Sequence, residues 1–434
     1  MRLFKKIGSY KTPLKFLNST LFLHGVALVT GFVTYRYVAP EYIGIWATFT
    51  VFSTIATFLR LGIPNGMNRQ LPYYLGKGEV NKAESYASTT LGYSFFTMVV
   101  MTIIAIVFLL IYKFDSKGYL ADAYKWAAIV FFFQVVIEPY MTYLSGTFRT
   151  SSNFNKLSNI QFYLGLYKLI SIIFVALWGY VGYLIREICA SLLNLTLLYI
   201  NRPMPQIKAQ FSREIFKDLF KIGFSIFLVS YISSFIDTVP RLFLINKGTS
   251  LDLGIFSPSL IVLGLVALIP NTISNYLYPK FSFAYGEGCS RLYYWNKTKI
   301  MLLGSMLIGL VAAILVFLLI DKVIFIFPKY VDSLPYIKLT CLAISFIGYK
   351  LTDVVCVVLK EWKWLWIRII IYGVSIVSTI LLFNTLIDDI ISVAVISIGV
   401  SNVIQYITSF VVIYIITHKN TEELSTIPIQ KGEI

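Results

Sequence analysis

Apolar runs long enough to cross a bilayer follow one another along almost the whole chain, and they leave few folds open. A hydrocarbon core about 30 Å thick takes about 20 residues of helix. The 434 residues offer twelve such stretches, at about 14–36, 43–60, 84–112, 122–148, 157–178, 181–200, 216–244, 254–279, 298–320, 334–359, 364–384 and 390–417. Hydrophobic residues make up 57% of the chain and charged residues 13%, against about 25% charged in an ordinary soluble protein. A mean hydropathy of +0.76 leaves more apolar surface than soluble cores can hide, so the excess faces lipid. Backbone groups in lipid must be satisfied within the element, and no long alternating pattern suggests a barrel. The expected fold is an all-α polytopic membrane protein.

Lys and Arg number 37 against 21 Asp and Glu, a net charge of +16, and their placement sets the orientation. One alternate set of loops carries Arg2, Lys5, Lys6, Lys11 and Lys15; Arg69, Lys77 and Lys82; Arg149 and Lys156; Arg202, Lys208, Arg213, Lys217 and Lys221. It continues with Lys280, Arg291, Lys297 and Lys299; Lys360 and Lys363; and Lys419 and Lys431. The other set has only Lys113 and Lys117, Lys247, and Lys322 and Lys329. The rule that basic loops stay inside puts both termini in the cytoplasm, in keeping with an even number of spans. The surplus charge is thus topological and implies no nucleic-acid partner. The apolar stretch after Met1-Arg-Leu-Phe-Lys-Lys6 is too long for a cleaved signal and reads as the first span. Trp362, Trp364 and Trp366 around Lys363 read as an interfacial anchor.

The remaining counts exclude most chemistry. Cys189, Cys289, Cys341 and Cys356 form no CxxC, and His24 and His418 lie far apart, so neither a disulfide framework nor a metal site is expected. There is no GxxxxGK[ST] or GxGxxG loop, no catalytic constellation and no long outer loop. No cofactor is expected, and the chain reads as a transporter and not an enzyme.

An internal repeat organises the spans. Glu41-Tyr-Ile-Gly-Ile-Trp46 recurs as Leu251-Asp-Leu-Gly-Ile-Phe256, pairing Gly44 with Gly254, and Gly76-Lys-Gly78 pairs with Gly286-Glu-Gly288. Asn65 and Asn275 stand at the same offset of 210 residues. Six spans separate the copies, so the repeat is parallel, a plan that transporters use with the substrate between halves. Two six-helix bundles are expected, 1–210 and 211–434, joined through a basic linker holding Pro203 and Pro205.

Ala39-Pro-Glu-Tyr-Ile-Gly-Ile-Trp46 resembles the P-E-x-[FY]-G signature of polysaccharide repeat-unit flippases, the Wzx-type members of the MOP superfamily. Leu61-Gly-Ile63, the Leu71-Pro…Gly76-Lys-Gly78 turn, Ile236-Asp237 and Leu277-Tyr-Pro-Lys280 resemble the same family in the same order, and the similarity covers essentially the whole chain. The loop motif of the major facilitators is absent.

Ionisable residues within spans are costly and so mark function or pairing. Lys168 is central in the fifth span, with no acidic residue at i±3 or i±4. Arg36 closes the first span and Arg60 the second. Glu138-Pro139 lies mid-way in the fourth, and Arg186-Glu187 in the outer part of the sixth. Asp237 and Arg241 stand at i, i+4 in the seventh, and Lys350 and Asp353 at i, i+3 in the tenth. The last two couples can be self-satisfied pairs, Arg36 can snorkel, and Arg60 can be an anchor. The cationic bias of the set suits an anionic ligand, since Arg presents a fork matched to phosphate oxygens.

The resemblance implies movement of an oligosaccharide repeat unit on an undecaprenyl diphosphate carrier across the bacterial cytoplasmic membrane. It implies a cationic lumen built from Arg36, Arg60, Lys168, Arg241 and Lys350. Asp237, Glu138 or Asp353 are the candidates to couple transport to H⁺ or Na⁺, because a desolvated carboxylate holds a proton more readily. Polymerase and chain-length proteins of the same route are the expected partners. The sugar and the polymer served (O-antigen of lipopolysaccharide, capsule or exopolysaccharide) stay open. The alternatives are a MOP-type exporter of small cations and a membrane-embedded glycan polymerase.

Overall fold

The computed structural model describes residues 11–418 apart from Ser152, Glu287 and Gly288. Arg2, Lys5, Lys6, Lys419, Lys431 and the Glu287-Gly288 end of the second repeat turn lie outside the described residues, as do the side chains of Lys11, Lys117, Asn275 and Lys280. Among the described residues, fifteen helices run in order: α1 Lys11–Tyr37, α2 Pro40–Thr57, α3 Ile63–Gly76, α4 Val80–Ile111, α5 Ala121–Thr150, α6 Phe154–Ile170, α7 Ile172–Ile200, α8 Arg213–Ile236, α9 Val239–Lys247, α10 Ser250–Gly286, α11 Arg291–Ile324, α12 Leu334–Ile344, α13 Leu351–Val358, α14 Trp362–Phe383 and α15 Ile390–His418. Among the described residues there is no strand.

Every expected span falls on a helix or on a broken pair of helices. Among the described residues, eight helices are long and apolar enough to cross a membrane. The number rises to ten if 213–225 with 227–236, and 328–344 with 347–358, each bent by more than 40°, count as single spans. The two expected spans left over coincide with α1 and α6. The 17-residue α6 is cut at Ser171, and a second break follows at Gly179, whose φ of 56° and ψ of −124° no helix accommodates. Residues 172–178 therefore extend the fifth stretch and 180–200 form the sixth. A left-handed φ there suits glycine, which has no Cβ to clash.

The seventh and tenth stretches also differ from continuous helices. Pro240, in the first turn of α9, has no N–H to donate to Ile236, so the helix stops and restarts. Asp237 is left as the C-terminal cap of α8 while Arg241 lies in α9. In the tenth, the chain leaves the helix at Phe346 and passes through a 3-10 turn, Ile347–Lys350, before α13. Lys350 ends this turn as the N-cap of α13, and Asp353 lies in the first turn of that helix.

Close packing gathers the described chain into two compact units. One comprises residues up to Ile261 together with Val323–Ser333, and the other Val262–Lys322 with residues from Leu334 onward. In the first, the short α3 is buried among α4, α5 and α8 through Ile63, Met67, Leu71, Tyr86, Tyr143, Phe148 and Leu219. The α8 helix, which follows residue 210, thus packs against helices that precede it. A second cluster joins α2 to α5 through Ile45, Phe49, Ala127, Ala128 and Phe131.

Helices in lipid associate through close backbone approach at small residues. Gly44 of α2 lies against the Ser250 carbonyl, and Gly254 of α10 lies against the Pro40 carbonyl; a Cβ at either would overlap the other helix's backbone. Each glycine thus meets the carbonyl four residues ahead of the other. Gly62 and Gly223 approach one another in the same way where α3 meets α8.

In the second unit, side chains satisfy the carbonyls freed where the tenth stretch breaks. Asn402 of α15 donates to Ala343 O at 3.2 Å, and Arg368 of α14 donates to Tyr349 O at 3.1 Å. Ser409 donates to the same Tyr349 oxygen at 3.3 Å. Unpaired carbonyls in lipid would cost several kcal/mol each, so these donors are what make the break affordable.

Candidate functional site

Two adjoining cavities in the first unit form the site, and both are set by the turn that ends α2. The helix tightens into a 3-10 turn, Phe58–Arg60. Leu61 and Gly62 then take left-handed conformations, φ 47° and 74°, and reverse the chain into α3. Gly62 is held against Gly223, and Gly66 against the Leu219 carbonyl. These backbone contacts fix the direction in which Arg60 leaves the chain.

Arg60 forms an ion pair with Glu138 of α5. Thr142, one turn on, donates to the other Glu138 oxygen at 2.9 Å. Pro139, inside α5, cannot donate to the Val135 carbonyl, and Val135 also lines the cavity. The Arg60 side chain is 24% exposed and that of Glu138 38%, so both partners can be reached from the cavity they line. Ion pairs of this kind contribute on the order of 1 kcal/mol or less. The pair is therefore cheap to open.

The first cavity, about 330 Å³, is lined by Thr50, Ser53, Thr57, Arg60, Gln134, Glu138 and Ser191 among others. Gln134 donates to Glu187 O at 3.2 Å and to the Ser191 hydroxyl at 3.1 Å, tying α5 to α7. The second cavity, about 340 Å³, shares Ser53, Thr57 and Arg60 and adds Asn65, Thr142, Phe227, Ser230, Tyr231 and Ser234. Both volumes lie within the roughly 300–1,000 Å³ of small-ligand sites.

Of the residues expected to form a cationic lumen or to couple ions, the fold brings together Arg60 and Glu138. With one cation and one anion, the first cavity is balanced in charge. Arg36 is exposed in the last turn of α1. Lys168 is half-buried in the last turn of α6, and among the described residues its ammonium has no ion pair or hydrogen bond. Arg241 keeps its Nε buried without a partner. None of these three lines either cavity. Lys350 and Asp353 belong to the second unit, where the Lys350 ammonium stands 5.9 Å from the Tyr349 ring. Asp353 pairs with Arg368 of α14. Arg186 and Glu187 do pair, at 2.9 Å, and Arg186 also donates to the Thr34 hydroxyl at 3.2 Å.

Sequence reasoning passed over Arg368, although an arginine inside an apolar stretch meets the test that selects Lys168. It also singled out no tyrosine or phenylalanine as a ligand contact, and only the helix packing places Tyr231 in the second cavity.

The family model for polysaccharide biosynthesis proteins matches residues 33–288, more than half of the 434. The chain belongs to this family. No protein of curated function matches this chain in sequence. Solved structures share its fold at low identity. An inward-facing multidrug resistance MATE family transporter of the MOP superfamily is 15% identical, covering 91% of this chain and 94% of its own, with a TM-score of 0.70. The lipid II flippase MurJ in an inward closed conformation is 13% identical, covering 95% and 88%, with a TM-score of 0.69. A MOP superfamily transporter from Pyrococcus furiosus, described as having a binding pocket of reverse polarity, is 16% identical, covering 94% and 95%, with a TM-score of 0.63. The polysaccharide biosynthesis protein is thus a multi-pass membrane protein of the MATE and MurJ fold.

Proposed function

We propose that this polysaccharide biosynthesis protein is a flippase that carries undecaprenyl-diphosphate-linked oligosaccharide repeat units across the bacterial cytoplasmic membrane by alternating access. All twelve apolar stretches cross the bilayer in this reading, both termini are cytoplasmic, and 1–210 and 211–434 are the two six-helix halves. The chain transports and does no covalent chemistry. The observation that carries the reading is the partly exposed Arg60–Glu138 pair lining a polar cavity inside apolar helices. An arginine held this loosely can exchange a carboxylate for the oxygens of a diphosphate, which its fork matches. Glu138, once released, is placed to take up H⁺ or Na⁺. Lys168, Arg241, Arg36 and Lys350 add to the cationic path, Asp237 and Asp353 are further coupling candidates, and polymerase and chain-length proteins receive the product.

Reconstitution tests this. Proteoliposomes holding the full chain and fluorescent undecaprenyl diphosphate N-acetylglucosamine should expose the lipid in the opposite leaflet faster than protein-free vesicles, and Arg60→Gln should remove the difference. Equal rates in all three would sink the proposal. One observation favours a second reading, a small-cation exporter: Glu138 is a carboxylate accessible from its cavity. Raised drug resistance on overproduction, with no lipid movement, would select it.

A further inference from the structure

The second cavity differs in chemistry from the first. Apart from Arg60 on the shared wall, its lining holds no charged side chain. The Asn65 amide and the Ser234 hydroxyl have no hydrogen-bond partner among the described residues, and both lie on the cavity wall. Tyr231 and Phe227, one turn apart on α8, stack with ring centroids 5.2 Å apart and 27° between planes. Phe58 backs Tyr231 at 5.2 Å. Hydroxyls and amides around a supported aromatic face, without a carboxylate, fit a neutral polyhydroxylated ring. The hydroxyl edge of a sugar meets Asn65 and Ser234, and its C–H face, positive like an aromatic edge, packs on the negative face of the Tyr231 ring. A small cation finds no counter-charge in this chamber, and an apolar lipid tail would strand the amide and hydroxyls unpaired.

We infer that this cavity is a saccharide chamber: it receives the carrier-proximal sugar while Arg60, on the wall common to both cavities, holds the diphosphate. Tyr231 is the stacking platform, and Asn65 and Ser234 read the ring hydroxyls. The inference rests on the flippase reading and sharpens it, since it makes the cargo's first sugar, and not the lipid carrier alone, part of recognition.

Equilibrium binding to the purified full chain in lipid nanodiscs tests it. The probes are undecaprenyl diphosphate and the same lipid bearing N-acetylglucosamine or galactose. The wild type is expected to bind at least one glycosylated probe roughly two- to tenfold tighter than the bare lipid, the range of one aromatic stacking contact. Tyr231→Leu should bring that ratio to one while bare-lipid affinity stays within about twofold; Tyr231→Phe, which keeps the ring, should preserve the preference, and Asn65→Ala should reduce it. Binding of all three probes with equal affinity by the wild type overturns the saccharide chamber and leaves the flippase reading standing. Failure to bind any probe overturns both. A preference that survives Tyr231→Leu also overturns the chamber, and intact bare-lipid binding shows that the variant is folded.

Discussion

Arg60 and Glu138 are separated by 78 residues of sequence and share one ion pair, the junction of the turn that ends α2 with the proline-bearing middle of α5. Both partners line the first cavity, so the pair's function can be tested apart from its contribution to folding.

Arg60→Gln should cut export of lipid-linked sugar on the order of ten- to a hundredfold, the worth of a charge-assisted hydrogen bond to the headgroup. Thermal stability should move by no more than about 1 kcal/mol. The Arg60→Glu/Glu138→Arg double variant restores the pair and should restore no transport, because the guanidinium then leaves from the wrong helix. Surface polysaccharide measured in a deletion strain carrying each variant decides the matter, and normal export by Arg60→Gln would refute it.

The Arg368–Asp353 pair predicts an asymmetry. The Arg368 side chain is 3% exposed and that of Asp353 45%. Asp353→Ala strands a buried cation and should cost about 3–5 kcal/mol. Arg368→Met leaves a carboxylate that is only half-buried and loses the bond to the Tyr349 carbonyl, for about 1–3 kcal/mol. Unfolding in detergent, followed with each variant, should rank them in that order; the reverse order would show that the break at 347–350 depends on Arg368 more than on charge.

Lys168 predicts opposite signs for stability and transport. Its half-buried ammonium has no partner among the described residues, so Lys168→Met should stabilise the chain, by up to about 2.5 kcal/mol. On the cationic-path reading the same change lowers export. Unaltered export with raised stability would remove Lys168 from that path.

At the helix crossings, Gly44→Ala and Gly254→Ala should each cost about 1–3 kcal/mol through overpacking. Gly304→Ala on α11, where a Cβ meets nothing within 4 Å, should be neutral or stabilise by about 0.5–1 kcal/mol. Melting temperatures of the three variants check this, and a Gly304 effect as large as the other two would argue against it.

What was legible in the sequence was whatever lies within one span. Hydropathy places the long helices, though not the short α3 between the second and third stretches, and the gap left between the fifth and sixth stretches falls on Gly179, where the backbone itself reverses hand. Pro240 announces its break. Pairings between spans were not legible: Asp353 has Lys350 three residues away in sequence and finds Arg368 across helices instead. Choosing between those partners needs the packing of α14 on α13, which apolar sequence does not signal. The second cavity was hidden for the same reason, since its wall is assembled from three helices, with Thr57 on α2, Asn65 on α3, and Tyr231 and Ser234 on α8.

The reciprocal seating of Gly44 and Gly254 places a constraint on the repeat itself. The small residue in one copy is required by the backbone of the other, since Pro40 and Ser250, whose carbonyls receive the two glycines, stand at the same 210-residue offset. A bulkier side chain acquired by either copy is therefore rejected by its twin. Two stretches of one chain are kept alike by contact, and neither is free to diverge there alone.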